Sequence, residues 1–99
     1  MSRKLYEDRK QARRERRSVL AHMPYAKYLQ TKEWKEFKQG RLRSARNRCQ
    51  VCNSADVQLE VHHRTYERRG YELKHDVIVL CRDCHQLFHE HRNLVRQEL

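Results

Sequence analysis

Four cysteines and four histidines in this chain stand at spacings that suit metal ions. The cysteines form two C-x-x-C pairs and can saturate one tetrahedral zinc ion, so they predict a structural zinc site at Cys49, Cys52, Cys81 and Cys84. That ion leaves four nearby histidines unused: His62, His63, His85 and His89. Histidines left over beside a saturated zinc site predict a second metal site with an open coordination position, which is typical of a catalytic site.

The histidines fall into two pairs with different spacings. His62 and His63 are adjacent and close an apolar stretch that is predicted to be a strand. His85 and His89 are four residues apart, and on a helix this spacing brings two imidazoles within reach of one ion. A helical projection places both of them away from the apolar stripe, which consists of Cys84, Leu87, Phe88, His91, Leu94 and Val95.

The first segment of the chain, residues 1–24, is predicted to be a basic helical arm. It contains good helix formers and no glycine, but its apolar stripe is too weak to bury alone. We therefore expect an arm that is helical against DNA or a partner, frayed otherwise, and ended before Pro24. Residues 25–99 are expected to form a single metal-binding domain.

A second helix is predicted near the start of that domain. Thr31 is a suitable N-cap for a helix over about residues 32–46. Trp34 and Phe37 lie along one side of it and are expected to pack on the metal-binding core. Gly40 is a weak point in this helix.

The second half of the chain predicts the order strand, loop, strand, helix. Residues 57–62 alternate as a strand does, residues 64–75 form a polar loop, and residues 77–80 are β-branched as in a buried strand. A helical pattern follows from about Asp83. The predicted fold class is α+β, with a four-cysteine site resembling a zinc ribbon.

Positive charge is concentrated in the first half of the chain. Residues 1–48 carry 16 Lys and Arg against 5 Asp and Glu, whereas residues 49–99 carry 7 against 8, and the whole chain has a net charge of +10. A surface of this sign attracts polyphosphate with an affinity that falls as salt rises. DNA is therefore the expected partner.

Composition indicates a soluble protein with a thin core. Hydrophobic residues make up 37% of the chain, below the roughly 45–50% of ordinary globular proteins, so bound metal must supply stability. Two C-x-x-C pairs without an apolar leader indicate a reducing compartment, and we expect a cytoplasmic protein without a membrane partner.

The order and spacing of these residues resemble a known nuclease family. Three motifs resemble those of the HNH endonucleases, whose fold is the ββα-metal finger. They are Cys49-x2-Cys52, Leu59-Glu-Val-His62-His63 and Asp76-Val-Ile-Val-Leu-Cys81-x2-Cys84-His85-x3-His89. The resemblance is to the subgroup with an added four-cysteine zinc site, which includes small phage and mobile-element proteins. It covers about residues 25–90.

The resemblance implies a role for each matching residue. His62 falls at the first metal ligand of the family, His63 at the general base, and His85 and His89 at the last ligands. Asp76 falls at a position, usually Asn, whose side chain braces the loop between the strands, and His75 is a second candidate for that bracing. The implied activity is hydrolysis of DNA phosphodiester bonds, by nicking or double-strand cleavage, to 5′-phosphate and 3′-hydroxyl ends.

The adjacent histidines suit this chemistry on physical grounds. Consecutive strand residues point to opposite sides, so His62 can bind the ion while His63 stands free to take a proton from water. Three imidazoles suit Mn²⁺, Ni²⁺, Co²⁺ or Zn²⁺ better than Mg²⁺, which prefers oxygen ligands.

Five arginines near these histidines are candidate DNA contacts, and each is as well explained as a solvated surface charge: Arg64, Arg68, Arg69, Arg92 and Arg96. Two other functions remain open. A zinc-ribbon DNA-binding protein without catalysis explains the cysteines and the charge but gives the histidines no role. An adaptor within a phage DNA-processing machine is compatible with either. Sequence specificity and oligomeric state are not indicated by the sequence.

Overall fold

The computed structural model describes the backbone of residues 2–98 and the side chains of residues 2–90. It confirms the α+β class and the order of the predicted helices and strands, and adds a short helix, α2, and a 3-10 turn that were not predicted. The elements are α1 (Arg3–His22), α2 (Tyr25–Tyr28), α3 (Lys32–Ser44), β1 (Leu59–His63), a 3-10 turn (Lys74–Asp76), β2 (Val77–Cys81) and α4 (Arg82–Glu98). Among the described residues, no helix has both the length and the apolar character needed to cross a membrane.

The two strands form an antiparallel sheet with α3 and α4 packed against it. In its register His62 lies opposite Ile78 and His63 lies opposite Val77. Because neighbouring strand residues point to opposite faces, the two histidines enter different environments. His62 contacts His85 and Phe88 of α4, whereas His63 stacks on Trp34 of α3.

Helix α3 begins as the sequence predicts. The Thr31 hydroxyl accepts a hydrogen bond from the backbone N–H of Trp34 at 3.2 Å, which satisfies one of the free donors of the first turn. Trp34 is buried beside Leu20, Tyr28 and Val77 in one of the two clusters of the small core. The helix continues through Gly40 and ends at Ser44, two residues before the expected end.

The basic arm is attached to the domain at its C-terminal end. Leu20 of α1 is buried against Gly70, where an added Cβ would lie 2.8 Å from the Leu20 Cβ, so only glycine fits there without a shift. Arg69 donates hydrogen bonds to the carbonyls of Leu20 and Ala21 at the end of α1. The rest of the helix is exposed, and the contact made by Leu20 is one that the weak apolar stripe of the arm did not predict.

The predicted core face of α4 holds in part among the described side chains, because Cys84 packs against the buried cluster of Cys49, Leu80 and Cys81. Leu87 was assigned to the same stripe and is 62% exposed, while Phe88 is 40% exposed. His85, assigned to the outer face, instead turns toward β1, where its Nδ1 lies 2.7 Å from a Glu60 carboxylate oxygen. The helical projection considered only the residues of α4 and could not include this contact with β1. His91, Leu94 and Val95 lie outside the described side chains.

Candidate metal centres

The four cysteines converge at one end of the sheet, as predicted. Their sulfur atoms all lie within 4.8 Å of one another, and the Sγ atoms of Cys52 and Cys81 are 3.7 Å apart. Tetrahedral zinc with Zn–S bonds of about 2.3 Å places its sulfurs at about 3.8 Å, so the spacing of this pair fits a zinc ion. The cysteines are free thiols. This cluster can therefore hold a metal ion such as zinc.

Backbone donors prepare this cluster for a cation. Burial opposes ionisation of Cys49, but N–H groups that include those of Cys52 and Val51 outweigh it and lower its pKa to about 6. The pKa of Cys84 is raised to about 12, first through its hydrogen bond with Cys81 and then through burial and the other thiols. A bound cation is needed to keep all four groups as thiolates.

Three of the four predicted histidines form a second cluster. His85 Nε2 lies 3.1 Å from His62 Nδ1 and 3.0 Å from His89 Nε2. Ligands at about 2.1 Å from a shared ion are separated by roughly 3.0–3.4 Å, depending on geometry, so these nitrogens fit one divalent ion. His62 and His85 are half-buried and His89 is exposed, which leaves the cluster open to solvent.

Glu60 orients the central histidine of this cluster. Its Oε2 lies 2.7 Å from His85 Nδ1, so that nitrogen donates to the carboxylate and Nε2 is left with a lone pair facing the other two rings. Carboxylates in this position fix the tautomer of a metal-binding histidine. The sequence analysis missed Glu60, although strand alternation places it on the same face of β1 as His62.

His63 occupies a different place from the one expected. Its ring lies on the opposite face of β1 from the three-histidine cluster, as the alternation of side chains along a strand predicts. It does not stand free, because it is 3% exposed and is stacked between Trp34 and Tyr66, at centroid distances of 4.6 and 4.9 Å. The apolar and aromatic surface of α2 and α3 covers this face of the sheet.

A buried carboxylate holds the His63 ring. His63 Nε2 lies 2.9 Å from Glu72 Oε2, to which the Tyr28 hydroxyl also donates at 2.5 Å. Burial opposes ionisation of Glu72, but the hydrogen bonds from His63 and Tyr28 outweigh it and lower its pKa. Because Nε2 donates to Glu72, Nδ1 is the basic nitrogen, and it faces the Tyr25 hydroxyl at 3.4 Å. Nothing in the spacing of Glu72 along the loop indicated this contact.

Asp76 holds the loop between the strands, the place that the sequence comparison implied for it. The buried carboxylate accepts a bidentate pair of hydrogen bonds from Arg68 and another from the Leu73 N–H at 2.8 Å. The Arg68 bond is the main reason that the pKa of Asp76 falls to about 2. An ionised Asp thus serves as an acceptor here, and the exposed His75 has no part in this set of bonds.

The arginines predicted to contact DNA have different surroundings. Two are committed to the protein itself, because Arg68 pairs with Asp76 and Arg69 binds the end of α1. These bonds give both arginines a structural role, and a phosphate contact by either one stays a prediction. Arg64 is exposed and lines a cleft beside the sheet. Arg92 and Arg96 lie outside the described side chains.

Comparisons of the chain with protein-family models, with curated proteins and with solved structures find no match.

Proposed function

We propose that this chain is a metal-dependent endonuclease that hydrolyses DNA phosphodiester bonds, as its resemblance to the HNH family implies. The observation that carries the proposal is the three-histidine cluster at His62, His85 and His89, which shares no residue with the four-cysteine cluster. A structural zinc site explains the cysteines completely. A second set of convergent nitrogens, held open to solvent, needs another purpose.

The donor set of this second cluster suits catalysis better than scaffolding. Structural zinc sites have four protein ligands, whereas catalytic ones have three and keep a position for water or substrate. A divalent ion held there would neutralise charge that builds on a phosphate during hydrolysis. The exposed His89 borders solvent, and Glu60 holds His85 in the ligating orientation.

Charge supports DNA as the substrate. The exposed face of α1 is basic along its length, and the helix is anchored to the domain through Leu20. Such a surface adds affinity for a polyphosphate without regard to base sequence. We assign α1 to non-specific DNA binding on this basis.

In this proposal His63 is the general base, and its Nδ1 is the atom that accepts the proton. Glu72 keeps Nε2 protonated and the ring fixed, so Nδ1 has its lone pair available. The Tyr25 hydroxyl lies over that nitrogen at 3.4 Å. For Nδ1 to reach water beside a phosphate at the cluster, which lies on the other face of β1, Tyr25 must move aside when DNA binds; this residue is 40% exposed.

The burial of His63 favours a second candidate function. A histidine enclosed by aromatic rings and paired with Glu72 is sufficiently explained as part of the core. If that is its whole role, the chain is a non-catalytic zinc protein that binds DNA, alone or as an adaptor in a DNA-processing machine. The three-histidine cluster would then hold an ion without hydrolysis.

A plasmid assay separates the two candidates. Supercoiled plasmid is incubated with the zinc-loaded protein and Mn²⁺, Ni²⁺, Co²⁺ or Mg²⁺, and nicked and linear products are followed on a gel. We expect cleavage by the wild type, with Mg²⁺ the weakest activator, and its loss in His85→Ala. His22→Ala, which alters an exposed histidine of α1, should cleave normally. Intact plasmid with every ion, together with tight DNA binding, would establish the second candidate.

A further inference from the structure

A cleft of about 400 Å³ beside the sheet gathers basic side chains from three separate segments. Arg41 comes from α3, Arg64 from the residues after β1, and Lys74 and His75 from the turn before β2. Gln50, Val77 and Ile78 are also part of its lining, and none of the described residues that line it is acidic. Three cationic side chains that converge without a carboxylate make a site for an anion.

The side chain of Arg41 carries a hydrogen-bond donor that an anion in the cleft would satisfy. Its guanidinium lies over the Phe37 ring at 5.7 Å, which places the side chain on the inner face of α3. Its Nε atom is buried and has no hydrogen-bond partner within the part of the chain whose side chains are described. A buried donor without an acceptor costs free energy, so a bound oxyanion would satisfy it.

The cleft lies next to the three-histidine cluster. Ile78, which lines the cleft, is the cross-strand partner of His62, and Arg64 follows His62 by two residues. Two residues paired across an antiparallel sheet are on the same face, so Ile78 places one wall of the cleft on the face of the cluster, while Val77, the partner of His63, places another wall on the opposite face. A single extended anionic strand can reach both.

We propose that this cleft binds a phosphate of the DNA backbone near the phosphate held at the histidine cluster. This inference rests on the proposed function and adds a second contact on the same strand, made by Arg41, Arg64 and Lys74. Two phosphates held at once fix the direction of the strand across the cluster, which a single metal contact leaves free. The site recognises phosphodiester and carries no base specificity.

The test measures binding of a short DNA duplex by fluorescence anisotropy, with the zinc-loaded chain and no added second metal. Arg41→Gln and Lys74→Gln are compared with Arg43→Gln, which removes an exposed cation of α3 outside the cleft. Each cleft variant should weaken binding at low salt by about three- to tenfold and lower the salt slope by about 0.9, the value of one lost phosphate contact. Lys74 is exposed, so Lys74→Gln reports on binding even if Arg41→Gln impairs folding.

An equal loss in Arg43→Gln, or an unchanged slope in Lys74→Gln, would overturn the cleft as a specific contact. A parallel titration with inorganic phosphate separates the possible sources of the anion. Binding of free phosphate that is abolished by Lys74→Gln, with DNA binding unaffected, would overturn the assignment to DNA. The cleft and the proposed nuclease activity can be rejected independently. If the wild type leaves plasmid uncut but the cleft variants lower the salt slope of DNA binding, only catalysis is rejected. If the wild type cleaves plasmid but the cleft variants leave the salt slope unchanged, only the cleft is rejected.

Discussion

The cysteine and histidine clusters lie close together along the chain but differ in almost every physical respect. Two of the cysteines are buried, and backbone N–H groups point at their sulfurs. The three histidines instead lie at a rim of the sheet, with His89 exposed and a single carboxylate orienting His85. One cluster is complete in ligands, and the other is short of a full set.

Under the proposed function, this difference separates the ion that stabilises the fold from the ion that acts in hydrolysis. The cysteine cluster joins the Cys49 turn to the end of β2 and the start of α4, three segments that meet in a small cluster in which two of the three buried residues are cysteines. The histidine cluster joins only β1 to α4, which the sheet already positions. Loss of the ion at the cysteine cluster should unfold the domain, whereas loss of the ion at the histidine cluster should remove only the activity of that ion.

The largest effect is expected from Cys81→Ser. Cys81 is buried at the end of β2, and its sulfur lies 3.7 Å from that of Cys52. Structural zinc sites contribute apparent binding energies of about 10–16 kcal/mol, comparable to the whole stability of a small domain. Circular dichroism of the variant should show loss of the cooperative melt, and metal analysis should show loss of zinc. A variant that melts like the wild type would contradict the structural role of this cluster.

A smaller and different effect is expected from His85→Ala. It removes the central ligand of the second cluster from a half-buried position, so the free energy of unfolding should fall by no more than about 1 kcal/mol. Binding of Ni²⁺ or Co²⁺ to the zinc-loaded protein, followed by calorimetry, should fall by at least about 100-fold. Plasmid cleavage should fall to background. Unchanged Ni²⁺ binding would show that these imidazoles do not share an ion.

His62 and His63 show where sequence reasoning succeeds and where it stops. Strand alternation is a local property, and it correctly placed the adjacent histidines on opposite faces. What covers each face depends on contacts from distant segments, and the aromatic cover on His63 comes from α2, α3 and the loop. The sequence therefore predicted which residues meet at the metal clusters but not the enclosure of the predicted base.

The same limit explains the unpredicted partners of two arginines and the exposure of Leu87 in α4. Arg68 and Arg69 have the composition of a DNA-binding loop, yet their partners Asp76 and Leu20 are 8 and 49 residues away. The face of α4 was predicted from its own apolar residues, without knowledge that Glu60 would attract His85. Spacing within one element is readable from sequence, whereas pairing between elements was readable only for the metal-ligating residue types.

An intermediate effect on stability is expected from His63→Ala. The change removes a stacked ring and leaves the buried Glu72 carboxylate without its partner, which should lower the free energy of unfolding by about 3 kcal/mol. Chemical denaturation measures this directly. Tyr25→Phe, which removes the hydroxyl at 3.4 Å from Nδ1 and its hydrogen bond with Tyr66 but keeps the ring, is the matched control and should change stability by less than about 1 kcal/mol.

His63→Ala also bears on the two candidate functions. A variant that stays folded at low temperature and binds Ni²⁺ normally, but no longer cuts plasmid, supports His63 as the base. Retained cleavage at the wild-type rate would remove His63 from the mechanism while leaving the three-histidine cluster in place.

The smallest effect, and the sharpest test of how the open cluster is built, is expected from Glu60→Gln. The amide keeps the size of the side chain but loses the charge that makes His85 Nδ1 a strong donor, and ligand basicity falls with it. The affinity of the zinc-loaded protein for Ni²⁺ should drop by about tenfold, while the melt and the cysteine-bound zinc are unchanged. Glu67→Gln, an exposed loop position, serves as the control for loss of one negative charge. If both variants weaken Ni²⁺ binding equally, the effect is long-range electrostatics and Glu60 does not position His85. If only Glu60→Gln weakens Ni²⁺ binding, the 2.7 Å contact holds the His85 ring in the orientation that binds the metal.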